Sequence, residues 1–424
     1  WSAENFVPVP SIVYNGNRFD KKIMKYPPYW YDKSEWRLDM PTTTTLVPSL
    51  EKYENHGKIE LTVGNAATPL MAFYAPEQQE SWMVQCHQGN RLGDFGLFIE
   101  ENKIKEQAVF SIMSPCVREK RAHGIGFCDS EDRAADLKKG DVVRLEFRVY
   151  KQKAHSLQDM YACFLQNRKT INPSESDYAV MPFSEVWRVM DNLFQQDRWD
   201  ETIGMYSLTK PGSNSGWNQI WQLGWVGGGQ ATLPILLQGN ETGRERAMKN
   251  LDVIFSKTQA SSGLYYAYGN GKEFKSFGFG EAFKNNETFV RSQGDFLYMA
   301  QKQFSLLQKL QKNVPATWLA SLKKQADAFY KLWDKYKQVG QFVDVETGEI
   351  CIGGSTAGAI VPAGLALASQ TYGEKKYLHA AEGLAEKFYT DYVLKGYTTG
   401  GPGEILSTPD SESAFGLFES YVTL

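Results

Sequence analysis

From residue 58 to residue 163 apolar and polar side chains alternate, the period of half-buried strands. Lys58-Ile-Glu-Leu-Thr-Val, Trp82-Met-Val-Gln-Cys, Phe95-Gly-Leu-Phe-Ile, Ala108-Val-Phe-Ser-Ile-Met and Val142-Val-Arg-Leu-Glu-Phe-Arg-Val-Tyr all read this way. Turn residues such as Gly89-Asn and Lys139-Gly-Asp separate them. Short strands punctuated by turns predict a β-sandwich, here 1–172 with an extended N-terminal segment rich in Pro, Tyr and Trp. No catalytic constellation stands out in it, and it reads as an accessory or packing domain.

After Asn172-Pro the period changes to that of helices, and helices alone are predicted for 173–424. Phe183 to Trp199 is amphipathic. Two kinds of helix then alternate. Gly243 to Gln259, Pro315 to Lys337 and Glu374 to Lys395 carry a charged face; Gly227 to Gln238, Thr288 to Leu310, Ser355 to Gln370 and Ser411 onward are richer in small or apolar residues. A helix that is apolar all round is buried all round, so the second kind predicts an inner layer and the first an outer one. The fold class expected is multidomain β + α, an N-terminal β-sandwich followed by an (α/α) toroid, with an ordinary helical bundle as the competing reading. The inner and outer helices are too few for a full ring, which implies a fragment of a longer protein or an incomplete toroid.

The connections are asymmetric. Inner-to-outer links are short and polar, as in Gly239-Asn-Glu-Thr, Asn313-Val-Pro and Tyr372-Gly-Glu. Outer-to-inner links are long, Gly-rich and aromatic: 206–229, 261–287, 340–354 and 397–410. Long links usually carry function, and in a ring of paired helices they share the face where the inner helices begin. One broad cleft is expected there.

Composition narrows the chemistry. A net charge of -3 gives no sign of a nucleic-acid or membrane-surface partner. No stretch reaches the roughly 18 apolar residues of a transmembrane helix. The five cysteines form no CxxC pair and only five histidines are present, so no metal site and no cofactor is expected. There is no P-loop and no dinucleotide fingerprint placed after a strand. The 11 Trp, 22 Tyr and 24 Phe are more telling, because many fall in the long links and flat rings suit sugar surfaces. Trp217, Trp221, Tyr265 and Tyr266 are therefore the predicted substrate-binding aromatics, with core packing as the alternative for each.

Cleavage of a glycosidic bond needs a protonated acid and a second carboxylate. The acids at the cleft end are Glu281, Glu287, Asp295, Asp344, Glu346, Glu404, Asp410 and Glu412. Asp344-Val-Glu-Thr-Gly348 reads as a hairpin turn. Asp295 can simply pair with Arg291 one helical turn away, but Gly294 beside it has no helix-forming reason, so something is expected to come close. Thr408-Pro409-Asp410-Ser-Glu412 makes a good helix start, with Thr408 as cap and acids complementing the dipole. That does not account for Glu404. The predicted catalytic residues are Glu404, Asp410, Glu412 and Asp295, with Arg291 added to the substrate-binding set.

The β-then-toroid order, with Trp217-Asn-Gln-Ile-Trp221, Gly263-Leu-Tyr265-Tyr266 and Gly403-Glu404-Ile-Leu…Pro409-Asp410-Ser-Glu412, resembles the toroidal glycoside hydrolases of bacterial polysaccharide-utilisation systems, β-glucuronidase-type members among them. The resemblance implies a periplasmic or secreted hydrolase acting on a plant or host glycan, uronate-containing ones included. The alternatives are a polysaccharide lyase on the same toroid, with Tyr265 or Tyr266 as base, and a non-catalytic glycan-binding protein.

Overall fold

The computed structural model describes residues 2, 4–10, 20–21, 32–44, 56–102, 106–123, 126–171, 181–212, 221–269, 273–276, 286–403 and 407–424. The chain divides into two compact units. The first comprises 1–26 and 43–178; the second comprises 27–42 and 179–424.

In the first unit β1 (His56–Thr62), β4 (Gly96–Asn102) and β5 (Gln107–Met113) form one antiparallel sheet with β4 central. Strands β2 (Leu70–Ala75), β3 (Glu80–Cys86) and β6 (Phe147–Lys153) form another with β3 central. Ile59, Leu61, Leu97 and Ile99 from the first sheet share one apolar cluster with Met71 and Cys86 from the second. The alternation of the sequence is thus the alternation between core and outer face. Two expectations need correction. Residues 142–146 are not strand. Residues 157–163, at the end of the region read as strands, belong instead to helix α1 (Leu157–Asn167), capped by the Ser156 side chain. Its Met160 and Cys163 cover the outer side of the second sheet, against Leu70, Ala72 and Met83.

The second unit holds α2 (Phe183–Leu193), α3 (Thr232–Gln238), α4 (Glu241–Lys257), α5 (Val290–Lys309), α6 (Ala316–Tyr336), α7 (Val361–Tyr372), α8 (Lys375–Asp391) and α9 (Glu412–Thr423). Helix α5 packs on α3 and α7, and α7 on α9, which makes one layer; α6 packs on α4 and α8, which makes a second. Within the first layer α3, α5 and α7 also pack on the helix that follows each in sequence, α4, α6 and α8. The small residues of the inner layer are there for contact. A Cβ on Gly294 of α5 would lie 2.8 Å from Val361 Cγ2 and 2.9 Å from Ile360 Cγ2, and one on Gly364 of α7 would lie 2.9 Å from Leu297 Cγ.

The expectation of helices alone does not hold. The long links pair with one another as short antiparallel strands. Residues 221–222 pair with 268–269, and these with 274–275. Strand β7 (Glu287–Phe289) pairs with β8 (Phe342–Asp344), which turns back into β9 (Ile350–Ile352). The Asp344 carboxylate accepts from the Glu346 and Thr347 amides, which closes the turn read from the sequence. Backbone groups in long links need partners, and neighbouring links supply them. Two inner helices also begin later than periodicity predicts, α3 after a Gly-rich turn and α7 at Val361.

Gly294→Ala tests the inner-layer contact. Helix propensity alone would favour Ala by about 1 kcal/mol, but the stiff Val361 and Ile360 side chains leave no room, and a net loss of about 1–3 kcal/mol is expected in denaturant unfolding. A variant as stable as the parent would show that α5 and α7 can separate freely.

Candidate active site

The start of α5 carries the most unusual side chains of the second unit. Arg291 stands in its first turn and Asp295 one turn on. A cation at a helix N-terminus opposes the helix dipole, and Arg291 is accordingly surrounded by acceptors. It donates to Gly401 O at 3.1 Å and to the Glu412 carboxylate, and its Nε stands 3.6 Å from Asp295 Oδ2. Its guanidinium also lies over the Trp225 ring, 5.5 Å from the centroid. The Trp225 indole N–H donates to Asp295 Oδ2 at 2.7 Å.

Glycine brings Trp225 to this point. Gly224 has φ +78°, and a Cβ there would meet Ser292 O at 2.5 Å and Asp295 Cβ at 3.1 Å. The turn before Trp225 therefore rests directly on the α5 backbone, an approach that only Gly allows. Trp225 also walls a cavity of about 580 Å³, together with Phe183, Trp187 and Met190 of α2 and Pro234 and Ile235 of α3. Among the described residues Asp191 is the one charged side chain lining it.

Asp295 is buried, and burial pushes its carboxyl up to about 6, against the pull of Arg291 and the Trp225 hydrogen bond and with a smaller push from Glu419. Among the described residues only Oδ2 is engaged, and no group donates to Oδ1. A carboxyl that is protonated in mildly acidic solution, with one oxygen held and one unheld, can deliver a proton.

The other predicted residues sort differently. Glu404 and Trp217 lie outside the described residues, as does Glu281. Glu412 is exposed at the start of α9 and is joined to Arg291. Asp410 is a correction: its carboxylate accepts from the Ser413 amide at 2.8 Å, the Gly401 amide at 2.9 Å and the Ser413 hydroxyl, so it caps α9 and holds the preceding loop. Burial raises its pKa, while those donors and Arg291 oppose the rise. Thr408, the expected cap, is buried, and its hydroxyl finds no partner among the described residues.

Trp221 and Tyr265 are corrections too. Both are fully buried; Trp221 packs near Phe274, and the Tyr265 ring meets Phe255 and Phe296 while its hydroxyl bonds Ser321 Oγ at 2.7 Å. The physical reason is period. Residues 264–268 run extended, so Tyr265 and Tyr266 point to opposite faces. Tyr266 is half-buried and donates to the Glu346 carboxylate. Glu287 is buried against Lys33 Nζ at 2.9 Å. Trp225 was missing from the predicted set, although the glycines on both sides of it, Gly224 and Gly227-Gly-Gly, mark a ring on an irregular turn.

No protein-family model matches the sequence, and no curated protein matches it. Solved structures similar to it include the GH76 alpha-mannanase of Bacteroides thetaiotaomicron, at 15% identity over 57% of this chain and 63% of that one, with a TM-score of 0.40. The cellobiose 2-epimerase of Bacillus thermoamylovorans B4167 matches at 12% identity over 57% and 66%, TM-score 0.41. The family 105 glycoside hydrolase of C. acetobutylicum ATCC 824 matches at 12% over 55% and 62%, TM-score 0.39. The chain spans less than two thirds of the length of each.

Two stability measurements follow from this geometry. Trp221→Ala and Tyr265→Ala should each cost about 3–5 kcal/mol in denaturant unfolding, as large core truncations do, whereas Tyr266→Phe should cost about 1 kcal/mol. Equal, small effects would return Trp221 and Tyr265 to an open cleft. Asp295 gives a pH signature. Its folded pKa of about 6 lies above the ordinary carboxyl value of 3.8, so the folded state holds the extra proton between these values and stability falls as pH rises through that window. Asp295→Asn should therefore be more stable than the parent at pH 8, by about 1–2 kcal/mol, and not at pH 4. A pH-independent difference would mean that Asp295 titrates normally.

Proposed function

We propose that this protein is a carbohydrate-active enzyme and, more narrowly, a glycoside hydrolase with Asp295 as its general acid. The observation that carries the reading is the state of that carboxyl: buried, raised to about 6, bonded at one oxygen by an indole N–H and, among the described residues, unengaged at the other. Glycoside hydrolysis needs such an acid on the leaving oxygen. A sugar ring held against Trp225 would lie beside it. The proton passes from Asp295 to the glycosidic oxygen, which leaves with the bonding pair. A water oxygen then bonds the anomeric carbon and gives its proton to the second carboxylate. Glu412 and Glu404 are the candidates for that carboxylate; Asp410, with both oxygens engaged in capping, is not.

The two-layer helix packing supports reading the second unit as an (α/α) toroid, and the two sheets around one apolar cluster support reading the first as a β-sandwich accessory domain. Substrates then include neutral and uronate-containing polysaccharides, with the enzyme working in the periplasm or outside the cell. The lyase alternative loses ground, because both tyrosines that could abstract a proton are otherwise engaged. Tyr265 is buried with its pKa pushed up by desolvation, and Tyr266 is pushed up to about 12 by desolvation and its Glu346 partner.

A panel of neutral and uronate glycans, scored by reducing-sugar release and by ultraviolet absorbance for new double bonds, tests the reaction class. Hydrolysis without absorbance is expected. Asp295→Asn should lower turnover by about a hundredfold or more, and the parent's activity should fall as pH rises through about 6, where Asp295 loses its proton. A fully active Asp295→Asn protein would remove Asp295 from the mechanism.

A further inference from the structure

We infer that Trp225 is a positioning residue: its indole N–H pins Oδ2 of Asp295, so that the transferable proton rides on Oδ1. The role in catalysis rests on the hydrolase reading above, but the hydrogen bond does not. Three observations carry it. The Nε1–H donates to Oδ2 at 2.7 Å, and Arg291 Nε faces the same oxygen at 3.6 Å. An oxygen that accepts an N–H and faces a cation is a poor place for a proton, so protonation goes to the other oxygen. Among the described residues nothing donates to Oδ1.

The indole is itself held from two sides. The α5 backbone carries Gly224 immediately before it, where any side chain would collide with Ser292 O, and the Arg291 guanidinium lies over its ring. The charged groups facing Asp295 are Arg291 on its own helix and Glu419 on α9. Arg291 faces the same oxygen as the indole, at 3.6 Å, and so disfavours a proton there as Trp225 does, but the short hydrogen bond to that oxygen comes from Trp225. A tryptophan that only filled space here would not need its N–H turned to the carboxylate.

The test is a pair of measurements on the full chain. In the unsubstituted protein, the Trp225 indole N–H resonance should shift with pH on the same midpoint as the Asp295 carboxyl carbon, near 6. In Trp225→Phe, which keeps an aromatic ring but no donor, that carboxyl midpoint should rise by about one pH unit, a tenfold gain in proton affinity, because a hydrogen bond to the charged form is lost. Turnover should fall about tenfold with KM little changed, and the high-pH limb should move up with the carboxyl midpoint. An indole resonance indifferent to Asp295, or a midpoint unmoved in Trp225→Phe, would overturn the inference and leave Trp225 as packing. Coupled titration in a protein that cleaves no glycan would uphold the pinning and sink the hydrolase reading instead. Should Trp225→Phe fail to fold, the indole titration in the unsubstituted protein decides alone.

Discussion

The close approach of α5 to its neighbours is the constraint on which the second unit depends. Gly294 lets Val361 and Ile360 at the start of α7 lie against the α5 backbone, and Gly364 returns the arrangement against Leu297. Gly224 does the same from the first long link, resting on Ser292 and Asp295. With backbones this near, Asp295 has no room for a water shell, and its neighbours are a helix, an indole and a guanidinium. The glycines contribute to the desolvation of the carboxyl by letting these neighbours come close.

That desolvation sets the electrostatics of the cluster. Arg291, at the unfavourable end of a helix dipole, would be costly without acids around it. Glu412 at the start of α9 and the Gly401 carbonyl of the last link satisfy it. The Asp410 cap holds that link in place, since one of its oxygens accepts the Gly401 amide while the other accepts the Ser413 amide at the start of α9. The capping and the acid chemistry of this stretch are thus not rivals. Asp410 does the capping, and in doing so it positions the Gly401 carbonyl and Glu412 around Arg291.

Sequence periodicity made the layers legible. The apolar helices became α3, α5, α7 and α9, and the charged-face helices became α4, α6 and α8, because a 3.6-residue pattern follows burial; α9 departs from this, since its Phe415, Phe418 and Val422 are exposed. The pairing of the long links was not legible, since two- and three-residue strands leave no period to read. Side-chain direction in those links was missed for the same reason. Tyr265 and Tyr266 look equivalent as letters, yet extended backbone sends one into the core and the other outward. The close approach of α7 to α5 was legible through Gly294, a glycine inside a helix that lacked any other explanation. Trp225, which bonds Asp295, was hidden in a helix-like spacing of tryptophans, but 221–222 pair as strand and 223–231 is turn and bridge, not helix.

The central claim is that Asp295 meets a glycosidic oxygen through Oδ1. A crystal structure of the Asp295→Asn protein with a bound oligosaccharide tests it most directly. The account predicts a sugar ring against Trp225 and a glycosidic oxygen at hydrogen-bond distance, about 3 Å, from the side-chain atom that replaces Oδ1. An oligosaccharide bound elsewhere on the second unit, with residue 295 still sealed behind Trp225 and Arg291, would contradict it.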